Sequence, residues 1–200
     1  MTPADAEFRE AVRRLHRAKD AAYRDAWKRR GEVISILANI ARKVDRLEYG
    51  LDGAPATAGE SWFDTAVDLL VYCLKYQAYL ADLDPGLAGP LFGGSSARPP
   101  YSDGPAGFDV LLSRVDLGLL NAPGASVADA AVRTVARFVG LEACFRAVSS
   151  TETAAVRLAR AQALTDAAIC LLAALRRDHG QTYARFAASC LAMEGGAADA

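Results

Sequence analysis

The sequence predicts an all-α protein, a helical bundle of about six or seven helices, and three observations predict it. Apolar residues make up 52% of the 200 residues, with Ala and Leu dominant. Polar side chains recur every three or four positions, and no segment alternates for long enough to build a sheet. Proline and glycine gather in a few places rather than throughout, so they punctuate long helical runs.

Each element follows from these signals. Thr2 is a plausible N-cap with Pro3 at the first helical position, and a helix is expected from there to about Arg30, ending at Gly31. A second covers residues 32–48 and stops at "YGLDGAPATAG". "ESWFDTAVDLLVYCLKYQAYLADL" supplies a third, over 60–83. Residues 84–107 hold five of the eight prolines and six glycines, which predicts a linker, with a lid role if Leu91, Phe92 and Tyr101 pack. Beyond it, helices are expected in "FDVLLSRVDLGLL", in "SVADAAVRTVARFVGLEACFRAV", from a capping box at Ser149 and Glu152 to about Arg177, and in "GQTYARFAASCLAM". The expected layout is therefore a helical half over 1–83 carrying the candidate site, the Pro/Gly-rich segment 84–107, a second half over 108–194 packed on the first, and a tail over 195–200. "DTAVDLLVY" from residue 64 echoes "DAAICLLAA" from residue 166, with Cys170 standing where Asp68 stood. If the second half is a copy, it keeps the fold and loses the polar residue.

Charge narrows the function. With 23 basic and 24 acidic residues, no overall field points to a nucleic-acid polymer or an anionic membrane, so any anion site must be local. The chain opens on charged residues without a leader pattern, and its longest apolar run, Ala167 to Leu175, is too short to cross a bilayer; a cytoplasmic protein is expected. Four scattered cysteines read as reduced core thiols, and His16 and His179, each beside several charges, read as surface groups. There is no phosphate loop of the Gly-x-x-x-x-Gly-Lys kind and no Glu-x-x-His pair for a di-iron bundle.

Two helices carry more polar chemistry than their apolar girth requires. On the second, Glu32, Ser35, Asn39, Arg42, Lys43 and Arg46 form one strip. On the third, Asp64, Asp68 and Lys75 share a face bordered by Tyr72 and Tyr79. Asp64 and Asp68 lie one turn apart and repel unless a cation sits between them. Folding the chain at about residue 54 sets Lys43 near Asp64, Asn39 near Asp68 and Glu32 near Lys75. These are either ordinary interhelical ion pairs or the walls of a pocket, with Asp64, Asp68 and Glu32 at a metal and Lys43, Arg46 and Arg42 on phosphate. At the end of the first helix Lys19, Tyr23 and Trp27 recur at four-residue spacing, so a ring there either packs on the bundle or stacks on a base.

"KDAAYRDAW", "RGEVISILANIARKVDRLE" and "ESWFDTAVDLLVY" resemble the nucleotide-modification-associated, all-α proteins of phages and bacteria, which are similar in turn to MazG-like nucleoside triphosphate pyrophosphohydrolases. The resemblance covers about residues 15–80. It implies a MazG-like helical core, often in a homodimer, that binds a small-molecule nucleotide through Mg2+; the second half, degenerate if the echo at residue 166 is a duplication, lies outside it. It places Asp64 and Asp68, helped by Glu60, at the second acidic motif; the helix faces themselves offer Tyr23, Trp27, Asn39 and Tyr72 as the base-stacking or pocket residues. The first acidic motif, Glu-x-x-Glu, has no counterpart, because Ser35, Asn39 and Lys43 occupy that face. The expectation is a nucleotide-binding protein, either a magnesium-dependent pyrophosphohydrolase-like enzyme or a non-catalytic nucleotide sensor or helical accessory module.

Overall fold

The computed structural model describes residues 3–51, 61–121, 124–146 and 152–193, and all regular structure in them is helical. Helix α1 (Pro3–Tyr23) turns Phe8, Ala11, Val12 and His16 into the core. It stops seven residues before the expected end. Arg24 takes φ 45°, in the left-handed region that L side chains seldom enter, and a single 3-10 turn (Arg24–Trp27) follows. The bend swings Trp27 inward until it is 6% exposed and edge-on to Tyr79, with ring centroids 6.5 Å apart.

Gly31, at φ 82°, reverses the chain. A wide π turn (Glu32–Leu37) then runs directly into α2 (Ala38–Leu51). The widened turn buries Ser35, whose hydroxyl accepts the Arg30 N–H at 3.0 Å. At the far end of α2, Gly50 lies under the indole of Trp62; a Cβ there would sit 2.2 Å from the ring, so glycine sets how closely α2 meets α3.

Helix α3 (Trp62–Leu83) is the hub, buried on most of its circumference. Its start is a capping box: the Ser61 hydroxyl accepts the Asp64 N–H, and the Asp64 carboxylate accepts the Ser61 N–H at 3.0 Å.

The proline- and glycine-rich stretch is a packed strap. Asp84 caps a 3-10 turn (Pro85–Leu87), α4 (Ala88–Phe92) follows, and Leu91, Phe92 and Ala97 are buried. Phe92 stacks on Tyr101 at 4.0 Å, and the Asp82 carboxylate accepts the Tyr101 and Ser102 N–H groups at 2.6 and 2.9 Å. Helix α5 (Pro105–Arg114) then packs on α1 and α3, and a 3-10 turn (Leu117–Asn121) follows it.

Ser126 caps α6 (Val127–Glu142), and Thr153 caps α7 (Ala154–Asp178). The expected box on Ser149 falls outside the described residues, as does the tail over 195–200. Helix α8 (Gly180–Leu191) closes the bundle against α1.

The echoing stretches at 64 and 166 fall on α3 and α7, which pack on each other at the centre and are tied by a buried bond from Gln77 Nε2 to Thr165 Oγ1 at 2.9 Å. One apolar cluster runs from Phe8 to Cys190, so both halves share a core. Helix α7 is long and apolar enough to span a membrane by length and composition, yet most of that stretch is buried inside the bundle. Cys73, Cys144, Cys170 and Cys190 are free thiols. His179 is exposed, but His16 is 1% exposed, a core residue rather than a surface one.

Candidate functional site

Three helices deliver polar side chains to one place, each by helical spacing. On α1, His16, Lys19 and Tyr23 fall three and four apart; on α2, Asn39 and Arg42 are three apart; on α3, Asp68, Tyr72 and Lys75 are four and three apart. With Trp27 they line a cleft of about 450 Å³ between α1, α2 and α3.

Asp68 is the cleft's one carboxylate. It receives the Lys19 ammonium from α1 and the Lys43 ammonium from α2, the latter at 2.7 Å, and its side chain is 13% exposed. Burial alone would raise its pKa, but the two ammoniums hold it below the usual carboxylate range. Lys75 is buried beside Trp27, its nitrogen 4.6 Å from the ring centroid and 3.4 Å from Asp20. Burial pulls its pKa down, and Asp20 opposes that. Tyr72 is half-buried, its phenol pushed up by burial and then by Asp68. Arg42 is exposed and donates to Asn39 Oδ1, while Asn39 Nδ2 donates to Ser35 O at 2.9 Å. Tyr23, 67% exposed, stands at the rim.

At the floor, His16 stacks on Phe108 with centroids 3.7 Å apart and planes within 9°. Neither imidazole nitrogen has a hydrogen-bond partner in the protein. Burial first, then the charges of Lys75 and Arg17, push its pKa down to about 3, so the ring is neutral at physiological pH. The opposite shoulder is fixed by the strap: Lys28, 5.9 Å from the Trp27 ring, donates to Ser102 Oγ at 2.6 Å and pairs with Asp103.

The structure brings together Lys19, Tyr23, Trp27, Asn39, Arg42, Asp68, Tyr72 and Lys75 of the residues singled out from sequence, with Lys43 just behind Asp68. It places others elsewhere. Asp64 serves the α3 cap, one turn away from the Lys43 contact. Glu32 faces the second half, accepting from the Tyr76 hydroxyl and ion-pairing with Arg157 of α7 at 2.9 Å. Arg46 is exposed on α2, outside the cleft lining. Glu60 lies outside the described residues. Among the described residues no group of three or more His, Cys, Asp or Glu side chains is placed to hold a metal ion. Asp64, Asp68 and Glu32 are thus each engaged by different partners: the α3 cap, two lysines, and Tyr76 with Arg157.

Sequence reading missed His16 and Asp20. The signal for the first was available: Phe8, Val12 and His16 follow one another at four-residue spacing, so the histidine continues an inward stripe. Comparison of the chain with protein-family models, with curated proteins and with solved structures found no match.

Proposed function

We propose that this protein binds a nucleotide in the cleft between α1, α2 and α3, and that it holds the ligand rather than hydrolysing it. One observation carries the reading: three cations, Lys19, Arg42 and Lys75, line the cleft against a single carboxylate, beside aromatic rings. An anion gains most where positive charge is partly withdrawn from water, as at Lys75. Tyr23 offers a ring face at the rim for a base. Trp27 is less suited to stacking, because an ammonium already sits over its ring.

Hydrolysis through magnesium requires carboxylates for the metal and a base for the water. Asp68 is neutralised by two lysines, Asp64 is spent on a cap, and Glu32 is held by Tyr76 and Arg157. Binding asks for none of these.

The test is thermal unfolding with a panel of nucleotides, each in EDTA and in magnesium. Specific binding at a hundredfold excess over Kd stabilises by about 2.7 kcal/mol, a rise of several degrees. The expected outcome is a rise that survives EDTA. Asp68→Asn is expected to lower the melting temperature of the empty protein, since Lys19 and Lys43 lose their shared counter-ion, and to tighten anion binding. No shift with any nucleotide at millimolar concentration would end the proposal. Nucleotide turnover in magnesium, seen as released phosphate or pyrophosphate, would favour the hydrolase that the resemblance implies.

A further inference from the structure

We infer that the ligand class is the nucleoside monophosphate, a phosphate monoester joined to an aromatic base and taken without magnesium; this rests on the nucleotide reading above and narrows it.

Charge makes the selection. Lys19, Arg42 and Lys75 against Asp68 leave the lining with a surplus of two positive charges. Lys43 and Asp20, the partners immediately behind Asp68 and Lys75, carry one charge of each sign and leave that surplus unchanged. His16, neutral on the floor, adds nothing. A phosphate monoester carries about −1.5 to −2 at neutral pH, so it is matched almost completely. Each further phosphate brings charge for which the lining has no cation. Polyphosphates meet that need by carrying magnesium, which bridges carboxylates and phosphate oxygens. The one carboxylate here already lies between two ammoniums.

Geometry agrees with the count. The volume, about 450 Å³, lies in the lower half of the roughly 300–1,000 Å³ that small-molecule sites span. Lys19 can reach phosphate without leaving Asp68, because an ammonium has three donors. Arg42 adds a planar fork suited to two phosphate oxygens.

The experiment is titration calorimetry of the full chain in EDTA. The probes are the 5′-monophosphates of adenosine, guanosine, cytidine, uridine and thymidine, their nucleosides, their di- and triphosphates, and ribose 5-phosphate. At least one monophosphate is expected to bind tenfold or more tighter than both its nucleoside and ribose 5-phosphate. Its triphosphate should gain no more than threefold, and magnesium should leave the monophosphate unchanged. Arg42→Gln, at an exposed position, is expected to shrink the gap between monophosphate and nucleoside several-fold while the melting temperature of the empty protein stays level.

A triphosphate tenfold tighter, or a requirement for magnesium, overturns the monophosphate assignment and leaves nucleotide binding standing. A nucleoside as tight as its monophosphate overturns it by removing phosphate from recognition. Equal binding of ribose 5-phosphate overturns it in favour of a sugar phosphate. Silence from every nucleotide overturns both readings.

Discussion

His16 is a neutral imidazole held where water does not reach it, and that has a measurable cost. In the unfolded chain a histidine takes a proton near pH 6.5, whereas in the fold the pKa lies at about 3. Its contribution is therefore fully present above pH 6.5 and is lost progressively as pH falls towards 3. His16→Leu cannot titrate. Between pH 8 and pH 5 the difference in unfolding free energy between the two proteins should move by about 2 kcal/mol in the variant's favour, measured by urea denaturation. Asp68 shows how a residue can be read with the wrong partner. Folding the chain at residue 54 set Lys43 against Asp64, and the structure sets it against Asp68, one turn on. The sequence held a warning, since Ser61 and Asp64 have the spacing of a helix cap, and a carboxylate closing a cap is turned back toward the start of its own helix.

Among the elements, the link from α1 to α2 was least legible. Helical periodicity continues through Tyr23 to Trp27, so nothing in the pattern announces a break at Arg24. The break comes from packing: Trp27 reaches the Tyr79 ring and the Lys75 ammonium only if the backbone bends there. Gly31, by contrast, was legible as an end, and its φ of 82° explains the choice of residue. Space is open around it, so Gly31→Ala would be penalised through the backbone alone, by about 1–3 kcal/mol, since φ 82° with ψ −177° is a region open almost only to glycine. The expected drop in melting temperature is a few degrees, and a larger fall would mean that the π turn over Glu32–Leu37 had been lost as well. Helices α2, α3 and α7 were readable in position because their apolar stripes are long, and α7 begins after a Thr153 cap.

For the whole molecule, length and composition announced helices but not their assembly. Two helical halves joined by a proline-rich stretch are expected to pack on each other, but which helices meet is not legible. Helix α3 packs more extensively on α7 than on α2, and Glu32 of the first half is clasped by Arg157 of the second. Shared burial of this kind predicts cooperative loss of structure. Urea unfolding followed by tryptophan fluorescence, which reports Trp27 and Trp62 in the first half, should coincide with unfolding followed by far-ultraviolet circular dichroism. Two separated midpoints would show that the halves melt apart.

The strap over residues 84–104 matters for anyone who would edit this chain. Segments rich in proline and glycine are the customary places to trim, to insert a tag or to reconnect the termini. Here that segment carries the anchor of Lys28 through Ser102 and leads into the helix that brings Phe108 beneath His16. Splicing within it would unseat the cleft's shoulder and undermine its floor together.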